Sequence, residues 1–223
     1  MKRLALLTAA ALLLTGCAST PAPASEQVQE YYNKNVANAT MKAPAPAAKQ
    51  ISYAAYGDSI TEGNSPAFVD GEFGSLSWAT YLGSSFRFAG GWAKGGVQTN
   101  EMLSNAKPVK AEALVLLAGA NDYIHDTPFA VTAANLDGIV KKTGIKRVVI
   151  SAVPPNDQRP EAASAFNVSL KQHAAARKWA FIDPMKPLRN GENYAPGMSH
   201  DGIHPTERAA KLIGGGIAAA LKG

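Results

Sequence analysis

Ala113-Leu114-Val115-Leu116-Leu117 is an unbroken apolar run, and Ala118-Gly119-Ala120-Asn121-Asp122 follows it at once. A strand with one wet face alternates apolar and polar residues. A short run with no alternation, closed by turn residues, reads as a strand covered on both faces. Such a strand needs helices above and below it, which implies a parallel sheet in an α/β fold. Arg147 to Val153 is a second run of this kind, stopped by Pro154-Pro155. Ile51 to Tyr56, ending in Gly57, reads as the first strand, Phe86 to Trp92 as a weaker second and Trp179 to Ile182 as a short fifth. Helical patterns over Leu76–Leu82, Asn100–Ser104, Pro128–Lys142, Glu161–Arg177 and Thr206–Leu221 alternate with the strands. The expectation is a five-stranded parallel sheet with both faces covered. Gly214-Gly215-Gly216 weakens the last helix, by about 1 kcal/mol per glycine, or lets it press close against the sheet.

Three motifs fall just after expected strands or in late loops, where the carboxyl edge of such a sheet binds ligands. In Gly57-Asp58-Ser59-Ile60-Thr61 a serine sits between a strand end and a helix start. Its hydroxyl then stands above the sheet edge and its N–H lies at a helix start. Read alone, such a serine is a helix cap. Gly57 before it and Gly63 after it favour a functional turn, although the pattern is not the Gly-x-Ser-x-Gly elbow of α/β-hydrolases. In Asp201-Gly202-Ile203-His204-Pro205, Gly202 allows a turn and Pro205 keeps His204 out of helical geometry. His204 can then face the cleft as a base while Asp201 accepts from its Nδ1. His200 is a weaker candidate base, having neither a following proline nor a carboxylate three residues before it. His125 and His173 read as loop and helix-surface residues. Asn121 offers a side-chain amide at a strand end, and Gly95-Gly96 offers a backbone N–H that a ligand can approach closely. Trp78, Trp92, Tyr123 and Tyr194 read as core or rim residues. Together these are the parts for acyl transfer through a covalent intermediate.

The chain has 223 residues, 46% of them hydrophobic, which suits one globular domain. Its formal charge is +5, but five basic and only two acidic residues lie within the first 50. The remainder is close to neutral, which argues against a nucleic-acid partner. The single cysteine, Cys17, lies outside the expected domain, so disulfide and thiol chemistry are not expected there, and no Cys/His cluster has zinc spacing. Lys2-Arg3 and the apolar stretch Leu4–Leu14 have the anatomy of a signal peptide over residues 1–16. Leu14-Thr15-Gly16-Cys17 resembles the lipobox of bacterial lipoproteins, which implies lipidation of Cys17 and a membrane-anchored, exported protein. Cleavage after Ala22-Pro23-Ala24 would instead release it. Residues 17–50, rich in Ala, Pro, Ser and Thr, read as a flexible tether, with Tyr31-Tyr32 heading at most a short helix.

The motifs resemble those of the SGNH or GDSL hydrolase family. Gly57-Asp58-Ser59-Ile60-Thr61 is similar to its first block, Gly96 to its second-block glycine, Gly119-Ala120-Asn121-Asp122 to its third and Asp201-Gly202-Ile203-His204-Pro205 to its last. Gly95 competes with Gly96 for the second position. The resemblance covers residues 51–223 and implies a flavodoxin-like α/β/α domain with strand order 2-1-3-4-5. It implies Ser59 as nucleophile, His204 as base and Asp201 as its orienting carboxylate. The oxyanion hole would be the N–H groups of Ser59 and Gly96 with the Asn121 side chain, and neither cofactor nor metal is implied. The function expected is a serine esterase acting on short acyl or acetyl esters of small molecules or polysaccharide. An O-acyltransferase using the same residues and a non-catalytic envelope-binding lipoprotein are the alternatives.

Overall fold

The computed structural model describes residues 49–223. The leader expected over 1–16, Cys17, Tyr31-Tyr32 and nearly all of the expected tether lie outside the described residues. Strands β1 (Ile51–Gly57), β2 (Phe86–Ala93), β3 (Ala113–Leu117), β4 (Val148–Ser151) and β5 (Ala180–Ile182) form one parallel sheet in the order β2-β1-β3-β4-β5. The expected order is therefore observed. Strand order reverses between β1 and its two neighbours, and the crevice at that reversal is where such sheets hold ligands. Gly57 pairs with Leu117 in register, so the segments carrying Ser59 and Asn121 leave the sheet side by side.

β3 is fully buried along its whole length, as an unbroken apolar run requires. Truncating Leu116 to alanine should cost about 3 kcal/mol, the usual price of an unfilled core cavity. β1 shows how both faces are covered. The Tyr53 ring meets Trp78 at 6.3 Å and Phe88 at 5.6 Å on one side. Tyr56, of opposite parity in the strand, accepts a bond from the Lys107 N–H at 3.4 Å.

The helices are α1 (Ser59–Glu62), α2 (Thr99–Asn105), α3 (Ala120–Ile124), α4 (Phe129–Thr143), α5 (Pro160–Arg177) and α6 (Glu207–Lys222). α2 packs on α4 and α4 on α5, while α6 packs on a 3-10 turn over Trp78–Tyr81. That turn replaces the α-helix expected over Leu76–Leu82. Its start is fixed by Ser77 Oγ, which accepts from the Ala79 N–H at 3.3 Å, and Trp78 is fully buried. Gly214 and Gly216 of α6 serve close packing, against loop residues rather than the expected sheet, while Gly215 faces open space. A Cβ on Gly214 would lie 2.5 Å from the Trp78 carbonyl, and one on Gly216 would lie 2.6 Å from Pro184.

β4 is shorter than the run Arg147–Val153. Arg147 instead reaches the end of α6, donating to the carbonyls of Ala220 and Leu221 at 3.2 and 2.9 Å. At the other end Val153 turns to the Asn167 side chain, which bonds both its N–H and its carbonyl. His173 is not a helix-surface residue. Only 11% of its side chain is exposed, between Phe129 and Trp179, and its Nε2 lies 3.1 Å from Asp137 Oδ1.

Candidate active site

The turn after β1 is set by what Gly57 lacks. A Cβ there would lie 2.1 Å from Thr61 Oγ1 and 2.5 Å from the Leu117 carbonyl, so α1 can fold back onto the strand ends only at a glycine. Thr61 then donates from Oγ1 to the Leu117 carbonyl at 3.3 Å and accepts from the Trp78 indole at 3.2 Å. Its carbonyl takes the Ser77 hydroxyl at 2.6 Å. Asp58 caps α1, its Oδ1 accepting from the Ile60 N–H at 3.0 Å. These bonds leave Ser59 at the head of α1, half-buried, with its hydroxyl toward the late loop.

That loop is organised by its own polar groups. Ser199 Oγ donates to the His204 carbonyl at 2.8 Å and accepts from the Gly202 N–H at 2.9 Å. Asp201 Oδ1 accepts from the N–H groups of Ile203 and His204 at 2.9 and 2.7 Å. Its Oδ2 lies 2.7 Å from His204 Nδ1, and His204 Nε2 lies 3.0 Å from Ser59 Oγ. A carboxylate can only accept, so the imidazole proton sits on Nδ1 and Nε2 is free to take the serine proton. Two further groups hold the loop from outside: the Asp157 N–H donates to the Gly202 carbonyl at 2.8 Å, and Tyr194 Oη donates to the Ile203 carbonyl at 2.9 Å. Tyr194 stands on a small hairpin, β6 (Arg189–Asn190) and β7 (Asn193–Tyr194), whose Tyr194 N–H binds Asp157 Oδ1 at 2.7 Å.

Asn121, in the first turn of α3, donates one amide hydrogen to the Val97 carbonyl at 2.9 Å. That bond fixes the amide plane and leaves its second N–H without a partner among the described residues. The Gly95 N–H is engaged with Glu62 Oε2 at 2.7 Å, whereas the Gly96 N–H makes no hydrogen bond among the described residues. Of the two glycines in question, Gly96 is thus the one with a donor to offer, and its φ of +77° suits glycine. Asp122, fully buried, accepts from the Thr99 N–H at 3.0 Å, from the Thr99 hydroxyl, and from the Thr132 hydroxyl at 2.9 Å. It thereby ties the Asn121 turn to α2 and α4.

Two carboxyls here are perturbed in opposite senses. Burial is the largest influence on Asp58 and pushes it up to about 6, against the lowering effect of the Ile60 and Ala120 N–H groups. Its Oδ2 is buried with no hydrogen-bond partner. For Asp201, burial acts upward, but bonds from the His204 backbone, the His204 ring and the Ile203 N–H outweigh it and hold the carboxyl at about 2. Asp201 is therefore an anion at every working pH, the state an imidazolium needs beside it.

The residues expected from the sequence, Ser59, Gly96, Asn121, Asp201 and His204, all stand at this carboxyl edge. His200 does not pair with Ser59; its backbone N–H binds the His204 carbonyl at 3.1 Å. Trp78 is core and Tyr194 is a brace, while Tyr123 is buried with its ring 5.4 Å from that of Phe166. Sequence reasoning overlooked Asp58, Glu62, Asp122 and Asp157. Asp58 and Asp122 lie inside motifs and Glu62 directly follows one, whereas Asp157 carries no such signal. Among the described residues no three His, Cys, Asp or Glu side chains group as a metal site would.

A profile of the GDSL-like lipase/acylhydrolase family matches residues 55–212. No curated protein matches the chain significantly. Solved structures share the fold at low identity. A GDSL-like lipase from Bacteroides thetaiotaomicron is 18% identical with a TM-score of 0.61, the match covering 87% of this chain and 96% of that one. A lipase/acylhydrolase from Enterococcus faecalis is 18% identical with a TM-score of 0.62, covering 78% and 96%. A variant of an acetyl-xylooligosaccharide esterase from a Geobacillus is 16% identical with a TM-score of 0.60, covering 79% and 96%. With its motifs carried on this sheet and matched from the first block into the last helix, the chain belongs to the GDSL-like lipase/acylhydrolase family and is a carboxylic-ester hydrolase of that type.

Proposed function

We propose that this chain is a serine esterase for short acyl esters, acetyl esters of carbohydrate above all, working through an acyl-enzyme on Ser59. The observation that carries the reading is the relay from Asp201 Oδ2 through His204 to Ser59 Oγ, with contacts of 2.7 and 3.0 Å. Ser59 Oγ attacks the ester carbonyl as His204 Nε2 takes its proton. The oxyanion faces the N–H groups of Ser59 and Gly96 and the free amide hydrogen of Asn121. His204 returns the proton to the leaving alkoxide and the alcohol departs. Water, deprotonated by the same nitrogen, then releases the acid and restores the serine.

Support for a short acyl group and a bulky alcohol comes from exposure. The side chains of His204 and Asp201 are 43% and 50% exposed, so the site is open on the histidine side. The acetyl-xylooligosaccharide esterase that shares this fold makes acetylated sugars a reasonable substrate class. The lipobox ending at Cys17 supports an exported, lipid-anchored protein that meets such substrates outside the cytoplasm. The test is turnover of p-nitrophenyl esters from acetate to palmitate and of acetylated xylo-oligosaccharide by the full chain and by Ser59→Ala. The reading expects the highest kcat/KM on acetate or butyrate, release of acetate from the sugar, and none of either from Ser59→Ala. A preference for palmitate would overturn the short-acyl reading. Equal rates in Ser59→Ala would overturn the mechanism. For the anchor, Cys17→Ala should shift the protein from the membrane fraction to the soluble one.

A further inference from the structure

We infer that Glu62 is a positioning residue for the oxyanion hole, a role that rests on the esterase reading and adds a residue to it. Glu62 lies three residues after Ser59 on α1, so both side chains stand on one face of a single helical turn. Its Oε2 accepts the Gly95 N–H at 2.7 Å. The Lys94 N–H binds the Gly57 carbonyl at 3.4 Å. The Lys94–Gly96 turn is therefore fixed at two successive amides, both to the segment that carries Ser59. The third amide, that of Gly96, is left for the cleft. A Cβ on Gly95 would lie 3.8 Å from Ser59 Cβ and 3.2 Å from Glu62 Oε2, so the clamp operates beside the reacting hydroxyl without touching it.

The physical logic is preorganisation. A backbone donor stabilises a developing oxyanion only if it does not have to be aimed at that moment. Gly95-Gly96 is the least restrained kind of backbone, and Gly96 sits at a φ of +77° with nothing within 4 Å of where a Cβ would be. Without the Glu62 carboxylate, the Gly95 N–H would be free to turn into the cleft in place of Gly96, or the pair would sample both. Reach, rather than charge, is what the clamp requires. A negative charge near an oxyanion opposes it, so a neutral acceptor of the same length should serve at least as well.

The experiment compares the full chain with Ser59→Ala, Glu62→Ala, Glu62→Gln and Glu62→Asp. It measures kcat and KM on p-nitrophenyl acetate, affinity for an alkylboronic acid that forms a tetrahedral adduct on serine, and thermal melting. Glu62→Ala should lower kcat about tenfold to a hundredfold, short of the full loss of an oxyanion donor, with KM within about twofold. Boronate affinity should fall with kcat. Glu62→Gln should stay within about threefold of the parent, while Glu62→Asp, one methylene short, should behave like alanine. If Glu62→Ala does not fold, the contrast between Gln and Asp carries the test. A kcat unchanged in Ala and Asp, a rise in KM alone, or a Gln variant as impaired as Ala while Asp is intact would each overturn the clamp and leave the esterase reading standing. A parent inactive on every ester would bring down that reading and this inference with it.

Discussion

The turn that carries Ser59 and the loop that carries His204 meet across 3.0 Å, yet they are built on opposite plans. The serine turn is part of the core. Asp58 and Thr61 are fully buried; the Asp58 carboxylate accepts from the Ile60 N–H, and the bonds of Thr61 run to β3, Ser77 and Trp78. The histidine loop is on the surface and is held chiefly by Ser199 and Asp201 within it, with Asp157 and Tyr194 as outside braces. The proposed nucleophile is thus placed by the fold, and the proposed base by a local polar network. Damage to the first should therefore register as lost folding, and damage to the second as lost activity in a folded protein.

The largest effect expected is on the serine side. Gly57→Ala drives a methyl into Thr61 and the Leu117 carbonyl, where backbone cannot yield. It should cost about 4 kcal/mol or more and give little folded protein by circular dichroism. A well-folded Gly57→Ala would break the contrast. Asp201→Asn comes next. It leaves a side chain that can still accept from the Ile203 and His204 N–H groups, but it no longer fixes the imidazole proton on Nδ1. The kcat should fall about 10⁴-fold, as when the tautomer is lost in other triads, in a protein that still folds and melts only slightly lower.

A third effect sharpens the comparison through pH. Asp58 is raised in the folded state to about 6, so folding binds a proton that the unfolded chain has released by then. Its contribution is fully present below about pH 4 and is lost as pH rises to about 6, on the order of 3 kcal/mol. Asp58→Asn removes that slope, so its stability relative to the parent should climb between pH 4 and 6 and then level off in urea unfolding. Asp201 has the reverse sign. It is held at about 2, so what it contributes is present above pH 4 and fades as pH falls. The smallest effect belongs to Tyr194→Phe, which removes one bond to the Ile203 carbonyl. It should cost about 1 kcal/mol of stability and slow kcat only a few-fold.

The same division governs what the sequence disclosed. β3 is legible to the residue because an unbroken apolar run bounded by turn residues states its burial by itself. The five strands and the serine, asparagine, aspartate and histidine positions follow from local patterns of that kind, whereas the strand order rests on the family resemblance. α3 is not legible in the sequence, because Gly119-Ala120-Asn121-Asp122 reads as a turn; the helix begins after Gly119 at a φ of +104°. The hairpin at Arg189–Tyr194 has strands of two residues, too short for any alternation to show. The choice between Gly95 and Gly96 could not be made locally. What distinguishes the two is that the Gly95 N–H is taken by Glu62, 33 positions away in the chain. Likewise nothing near Asp58 announces that its carboxyl is sealed under the strand ends.

Acylation of Ser59, with His204 as its base, can be read directly by trapping the intermediate. The full chain would be acid-quenched during turnover of p-nitrophenyl acetate and mapped by peptide mass spectrometry. An acetyl group is expected on the peptide containing Ser59, absent in Ser59→Ala and strongly reduced in His204→Ala. Acetyl on another residue, or unimpaired turnover by the Ser59→Ala protein, would contradict it.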